Sequence, residues 1–468
     1  MTDIKTLFDL QRAAFHRDML PTAEVRRQRL IQLERMIGDN QDALIAAISE
    51  DFGNRSAQET KLIDIVMAIA SIRHAKRKLK GWMRPRRLPT ALHFLPSRNR
   101  LIRQPLGVVG IVAPWNYPLV LAIGPAIGAL AAGNRVMIKP SEFTPRFSAL
   151  LQELVGKSFP PEVMSVVTGG PEVAQAFTEL PFDHLFFTGS TSVGRKVAQA
   201  AARNLTPVTL ELGGKSPAII DPSADLDRAA GSLAFSKLFN AGQTCVAPDY
   251  LLVPAGREED LAQRIIRAAR KLYPTLAGNG DYTSIVTTQH FGRLEKMAAD
   301  AQLKGASLVT IDEREAVAGI AERKFPLTLV LGATPEMRVM QEEIFGPILP
   351  VLTYRTPDEA IELINRGDRP LALYWFGTNS ARREAVLKGT LSGGVTINDC
   401  LWHVAQEEAP FGGVGASGMG SYHGEWGFRT FSKEKPVFHQ SRLSSLPLLR
   451  PPYGRLAELM TALVEKIV

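Results

Sequence analysis

Between Gln104 and Asn134 the chain carries no charged residue. A run of that length is enough to cross a bilayer. The same run, however, holds Pro105, Pro114, Pro118 and Pro125, with glycines at 107, 110, 124, 128 and 133. Such punctuation breaks a spanning helix. What remains is a short buried strand, "LGVVGIVAP", that stops at Pro114, followed by a turn and an apolar helix. "NRVMIKP" (134–140) and "HLFFTGS" (184–190) repeat the plan of strand, turn and helix. Strands alternating with helices over residues 110–210 predict a parallel sheet of Rossmann type in an α/β fold.

The first 80 residues read as helices with periodic apolar positions, such as Leu44, Ile45, Ala47 and Ile48. "LPSRNRLIRQPLG" (95–107) reads as a hairpin or connector. "PVTLELGG" (207–214) is an apolar strand ending in two glycines. Beyond it, "SPAIID", "YLLVP", "ASLVTID" and "LPVLTY" resume the alternation and predict a second α/β lobe. At 468 residues the chain exceeds what one core fills. Its two cysteines cannot build a disulfide framework, which places the chain in a reducing, cytoplasmic setting. The N-terminus shows no signal-peptide pattern. There is no CxxC or HExxH, so no protein metal site is expected. The formal net charge of +8 is dispersed, and Arg73–Arg87 reads as a solvated helix face rather than a nucleic-acid surface.

Five segments carry the chemistry. Cys245 lies in "FNAGQTCVAP", a small, polar, flexible setting unlike the apolar runs that usually hold structural cysteines. Backbone N–H groups there would lower its pKa or hold an oxyanion. Glu211, 34 residues upstream, ends the apolar strand of "LELGGKSP". Burial there should raise its pKa and suit it to work as a general base. Asn116 in "PWNYP" is either an oxyanion donor or a turn residue. Lys139 and Glu142 in "KPSE" suit a ribose, and a surface ion pair explains them equally well. Gly189 and Ser190 in "FTGSTSVG" open a helix where a pyrophosphate could rest. Glu343 and Phe345 in "QEEIFGPILP" suit a ribose and a nicotinamide ring, or an ordinary helix end with one core aromatic.

In order and spacing these motifs resemble the NAD(P)-dependent aldehyde dehydrogenase superfamily over nearly the whole chain. "PWNYP", "NDCLWH" and "PFGGVGASGMGSYHGEWGFRTFSKEKPV" are most similar to its class 3-like branch, and the chain is similar to bacterial coniferyl aldehyde dehydrogenases. The resemblance implies a Rossmann-like cofactor domain (1–94 and 108–210), a catalytic α/β domain (211–399) and bridging or oligomerisation segments (95–107 and 400–468). It implies Cys245 as nucleophile, Glu211 as base and Asn116 as oxyanion donor. Trp115, Lys139, Glu142, Gly189, Ser190, Glu343 and Phe345 would hold the cofactor, NAD or NADP, with Glu142 disfavouring a 2′-phosphate. The small neighbours of Cys245 would leave room for aldehyde and nicotinamide on either side of sulfur. Tyr117, Trp115, Phe239, Trp402 and Phe411 would line an aromatic-friendly tunnel.

The same branch accepts fatty and benzylic aldehydes, so a broad or fatty-aldehyde enzyme is the alternative. A cysteine hydrolase and a retired, non-enzymatic member are the rivals from other classes. His403 reads as structural or as a secondary active-site group, and Cys400 as a buried bystander. A homodimer is implied. Leu456, Leu459, Met460, Leu463 and Ile467 fall on one face of a C-terminal helix too short to span a membrane. That face suits the protein body, a second subunit or a weak membrane contact.

Overall fold

The apolar runs pair into three sheets. In the computed structural model, which describes residues 3–311, 319–443, 447 and 450–467, β1 (Arg86–Leu88) and β2 (Arg98–Pro105) form an antiparallel hairpin. Then β3 (Val108–Val112), β4 (Arg135–Lys139), β5 (Met164–Val166), β6 (His184–Thr188) and β7 (Val208–Glu211) make a parallel sheet in the order β7-β6-β3-β4-β5. The second lobe holds β8 (Pro217–Ile220), β9 (Tyr250–Pro254), β10 (Ser307–Thr310), β11 (Thr328–Leu331), β12 (Ile348–Tyr354), β13 (Ala372–Phe376) and β14 (Gly394–Ile397). Its order is β10-β11-β12-β9-β8-β13-β14, with β10 alone antiparallel. In the tail, β15 (Gly418–Met419) pairs antiparallel with β7, and β16 (Ser432–His439) runs antiparallel along β2.

The sequence marks β8, β9, β10 and β12 as strands but passes over β11, β13 and β14. β13, "ALYWF", is buried along its whole length and has no polar alternation to announce it. The central strands β3, β4 and β6 are buried on both faces for the same reason, since helices cover each side of a parallel sheet.

The uncharged run resolves as β3, a turn and the helix Pro118–Ala132. Pro118 sits in the first turn, where a missing N–H costs nothing. Asp64 accepts the N–H groups of Leu119 and Val120, each at 3.1 Å, and so caps the helix from a neighbouring element. At 15 residues this helix is about 22 Å long, and among the described residues no helix is long and apolar enough to cross a membrane.

Asn134, fully buried after that helix, joins three elements. Its Oδ1 accepts from the N–H groups of Leu106 (2.7 Å) and Gly107 (2.9 Å). Its Nδ2 donates to the carbonyls of Ala129 (3.1 Å) and Phe431 (2.9 Å), tying the tail to the first sheet. The C-terminal helix Arg455–Ile467 does not turn its apolar face onto the body of the chain: Leu456, Leu459 and Leu463 are 55%, 69% and 50% exposed. Met460 is half-buried, and the Ile467 side chain lies outside the described residues. An Asn134→Leu variant strands buried donors and acceptors together. It should lose about 3 kcal/mol of stability, read as a lowered thermal midpoint against the unmodified chain.

Candidate active site

The carboxyl ends of β3, β6 and β7 open toward the amino ends of β8, β9, β12 and β13, and two cavities lie along this seam. A wide cleft of about 890 Å³ takes its walls from Trp115, Asn116, Gly189, Ser190, Glu343 and Phe345, among others. A narrower channel of about 110 Å³ is lined by Tyr117, Phe239, Thr244, Phe411 and Tyr422 and by helix side chains beyond them. Cys245 and Glu211 line both cavities.

Cys245 is carried on a loop that leaves the helix Leu226–Leu238 through three left-handed residues, Asn240 (φ 51°), Ala241 (φ 50°) and Gly242 (φ 71°). Ala241 rarely adopts such backbone, and Asn240 does so more readily, so surrounding bonds must hold the loop. Glu59 Oε2 accepts the Asn240 N–H at 3.0 Å. Asn240 Nδ2 donates to the carbonyls of Asn116 (3.0 Å) and Gln243 (3.1 Å). Gln243 Nε2 donates to the carbonyls of Asn240 (3.0 Å) and Ser284 (3.1 Å), and its Oε1 accepts from Val286 N–H at 3.0 Å. Asn116 Nδ2 donates to Gln243 O at 3.1 Å, and its second N–H has no partner among the described residues. A Cβ on Gly242 would stand 2.5 Å from the Gly346 carbonyl oxygen. Gly242 therefore serves backbone packing, while Cys245 itself has a cavity on either side.

Cys245 Sγ donates to Glu211 Oε1 at 3.7 Å. The other carboxylate oxygen accepts from Tyr422 Oη (2.9 Å) and Thr188 Oγ1 (3.3 Å). Burial pushes the Glu211 carboxyl up to about 7, against the pull of these hydrogen bonds. It therefore divides between its acid and base forms near neutrality and can accept a proton. For Cys245 the structure reverses the expected direction. Burial, then the charges of Glu211 and Glu343, push the thiol well above its usual value, and its own backbone N–H opposes this only weakly. The resting group is a thiol that waits for a base.

On the wide-cleft side, Glu343 is pushed up to about 8 by burial and then by the charge of Asp249. Its carboxylate occupies the space that a Cβ on Gly213 would fill. Arg293 Nη1 fixes its carbonyl at 3.1 Å. Phe345 has left-handed backbone (φ 51°) and meets Trp115 edge-on at 5.4 Å. Ser190 Oγ accepts the Val193 N–H at 3.4 Å and caps the helix Thr191–Ala202, and Arg195 lines the cleft one turn on. Gly189 lies where a Cβ would press on the Phe187 ring at 2.6 Å.

Lys139 and Glu142 do not line the wide cleft. Nor are they a surface pair: Lys139 is 1% exposed, with Nζ donating to Pro140 O at 2.8 Å and standing 4.0 Å from Glu142. Of the five tunnel aromatics, Tyr117, Phe239 and Phe411 line the narrow channel. Trp115 lines the cleft, and Trp402 is exposed and stacked on Phe235. His403 lines neither cavity, and its Nδ1 is paired with Thr396 Oγ1 at 2.8 Å. Cys400 is buried. Among the described residues no group of three or more His, Cys, Asp or Glu is placed to hold a metal ion. The sequence reading passes over Glu59, Thr188 and Tyr422. Glu59 carries no motif of its own, Thr188 stands inside "FTGSTSVG" beside the two residues singled out there, and Tyr422 sits in a Gly-rich tail whose approach to β7 only folding creates.

The profile of the Aldehyde dehydrogenase family matches residues 2–437. A relative from Pseudomonas aeruginosa named "Probable coniferyl aldehyde dehydrogenase" is 50% identical over 97% of this chain and 94% of its own. The solved substrate-bound AldH of Staphylococcus aureus superposes with a TM-score of 0.92 at 38% identity, covering 99% of this chain and 100% of its own. Betaine aldehyde dehydrogenase from Staphylococcus aureus, solved in complex with NAD+, gives 0.84 at 26% identity over 96% of this chain and 89% of its own.

Alkylation by iodoacetamide tests the electrostatics directly. Cys245 should react slowly at neutral pH and faster as pH rises beyond the usual thiol range, while Cys400 stays unmodified in the folded protein. Glu211→Gln removes a negative neighbour and should speed the Cys245 reaction at neutral pH. Peptide mass spectrometry reads all three outcomes.

Proposed function

The chain belongs to the aldehyde dehydrogenase family, and from that premise we propose that it oxidises a coniferyl-type aromatic aldehyde to its acid, with Cys245 as nucleophile and NAD as the cofactor. The observation that carries the reading is the position of Cys245 and Glu211, which line the cofactor-sized cleft and the narrow channel alike.

The wide cleft fits a dinucleotide. The helix start at Gly189–Ser192, with its hydroxyls and Arg195, suits a pyrophosphate. Glu343, seated over bare Gly213, suits a ribose, and the Phe345 and Trp115 rings suit a nicotinamide. Glu142, three residues beyond the end of β4, stands outside the cleft wall, so the preference for NAD over NADP rests on the adenine ribose reaching past that wall to its carboxylate. The channel's rings at Tyr117, Phe239 and Phe411 suit an aryl group.

Glu211 takes the thiol proton through the 3.7 Å contact, and the thiolate adds to the aldehyde carbon. The unused N–H of Asn116 and the Cys245 backbone N–H hold the oxygen as it becomes negative. The bound cofactor supplies a hydride acceptor. Once Glu211 has passed the first proton to solvent, the thioester then carried by Cys245 is hydrolysed by a water that loses its proton to Glu211, releasing acid and thiolate. Tyr422 and Thr188 keep that carboxylate aimed at the sulfur throughout. Residues 1–94 and 108–210 then serve as the cofactor domain and 211–399 as the catalytic domain. The segments 95–107 and 400–468, including the exposed apolar face of the last helix, bridge a homodimer. A cytoplasmic setting keeps Cys245 reduced.

Absorbance at 340 nm should rise on mixing the protein with coniferaldehyde and NAD, and less with NADP. Cys245→Ala should abolish turnover yet still bind NAD, and persistent turnover would remove Cys245 from the mechanism. Because the base form of Glu211 is needed and its pKa stands at about 7, kcat should fall as pH drops below about 7 and level off above it. A flat profile from pH 5 to 8 would contradict the role of Glu211.

A further inference from the structure

The narrow channel has one polar corner. Ile63, Met67, Ser71 and Ala75 follow one another at four-residue intervals along the helical segment 57–83, and all four line the channel. That face is apolar except at Ser71. Opposite it, Glu407 accepts a hydrogen bond from Ser71 Oγ through Oε1, and among the described residues Oε2 has no hydrogen-bond partner. His423 lines the same channel, and its Nδ1 is buried without a partner.

The backbone is shaped to bring these groups together. His423 has φ 81°, a conformation that a side chain bearing a Cβ seldom adopts, so the surrounding structure must hold it there. In that conformation its ring stacks on Phe411 at 5.3 Å, against another ring of the channel wall. Gly424 follows with φ 44°, and the Glu407 carbonyl lies where its Cβ would be. Burial lowers the His423 pKa against the opposing charge of Glu407, and the uncharged ring keeps one N–H and one lone pair. The corner therefore offers a carboxylate that only accepts and a neutral ring nitrogen left unsatisfied. A hydroxyl, which donates and accepts, completes both. An aliphatic chain or an unsubstituted ring completes neither, and the buried nitrogen stays unpaired.

We propose that Ser71, Glu407 and His423 form a subsite for a hydroxyl on the ring of an aryl aldehyde, with that O–H donating to Glu407 and its oxygen meeting His423 Nδ1. The proposal rests on the dehydrogenase reading above and adds the chemistry that selects among its substrates. A site built to bond a substrate hydroxyl discriminates against the analogue without one far better than an apolar wall does.

The test is a matched pair, 4-hydroxycinnamaldehyde and cinnamaldehyde, which differ only in the hydroxyl, each with NAD. The wild-type ratio of their kcat/KM values should favour the hydroxylated aldehyde by about tenfold or more, mainly through KM. Glu407→Gln keeps the side chain's size but removes the charged acceptor, and the ratio should fall toward one. His423→Gln, which keeps a comparable length but lacks the ring nitrogen, should lower it as well. Unchanged circular dichroism and NAD binding show that each variant is folded. A wild-type ratio near one, or a ratio that both variants leave at the wild-type value, overturns the subsite while leaving the dehydrogenase reading intact. Failure of the wild type to reduce NAD with either aldehyde overturns the dehydrogenase reading itself, and the subsite with it.

Discussion

Everything at this site depends on the stitch between Asn116 and the loop Asn240–Cys245. Asn116 follows β3 in the first sheet, and the loop precedes β9 in the second. Asn240 Nδ2 reaches Asn116 O at 3.0 Å, and Asn116 Nδ2 returns to Gln243 O at 3.1 Å, so each segment satisfies polar groups of the other. Without these bonds three successive left-handed residues would have little reason to persist. Glu59 and Ser284 hold the loop from behind. The result is a sulfur fixed in relation to a side-chain amide from the other lobe, which is the preorganisation that acyl chemistry needs.

The electrostatics follow from that placement. Glu211 and Glu343 both approach Cys245 in a poorly solvated seam, and both raise the energy of the thiolate. A thiol held protonated at rest is protected from adventitious oxidation, since the thiolate is the reactive form. The same burial that raises the thiol also brings Glu211 near 7, so donor and acceptor of the proposed proton transfer are tuned by one cause. Tyr422, arriving from the tail beside β15, anchors the carboxylate and makes the last part of the chain a structural partner of the first sheet.

The sequence made the parallel sheet readable because Pro and Gly interrupt the uncharged run at the ends of β3 and of the helix after it. Cys245 stood out by its small, polar setting and Glu211 by its place at the end of an apolar strand before two glycines. The pKa direction of Cys245 was not readable, because it depends on Glu343 and on burial, and both arise only when the lobes meet. Lobe contact also explains why Glu59 and Tyr422 passed unnoticed: their partners lie 181 and 211 residues away. β13 was hidden by its uniform burial, which removes the alternation that reveals a strand. The cleft also departs in part from the general rule for open α/β sheets. The first sheet offers the carboxyl ends of its strands, whereas the second offers its amino ends, so Cys245 could not be found from strand order alone.

The central claim is that Cys245 carries the acyl group and Glu211 releases it. Acid-quenching a Glu211→Gln variant shortly after mixing with coniferaldehyde and NAD, followed by peptide mass mapping, tests both halves at once. At a pH high enough for solvent to take the thiol proton in place of Glu211, the account predicts that the Cys245 peptide acquires the acyl group and accumulates it, because hydrolysis of the thioester is slowed. NADH produced with Cys245 unmodified, or turnover at the wild-type rate, would contradict it.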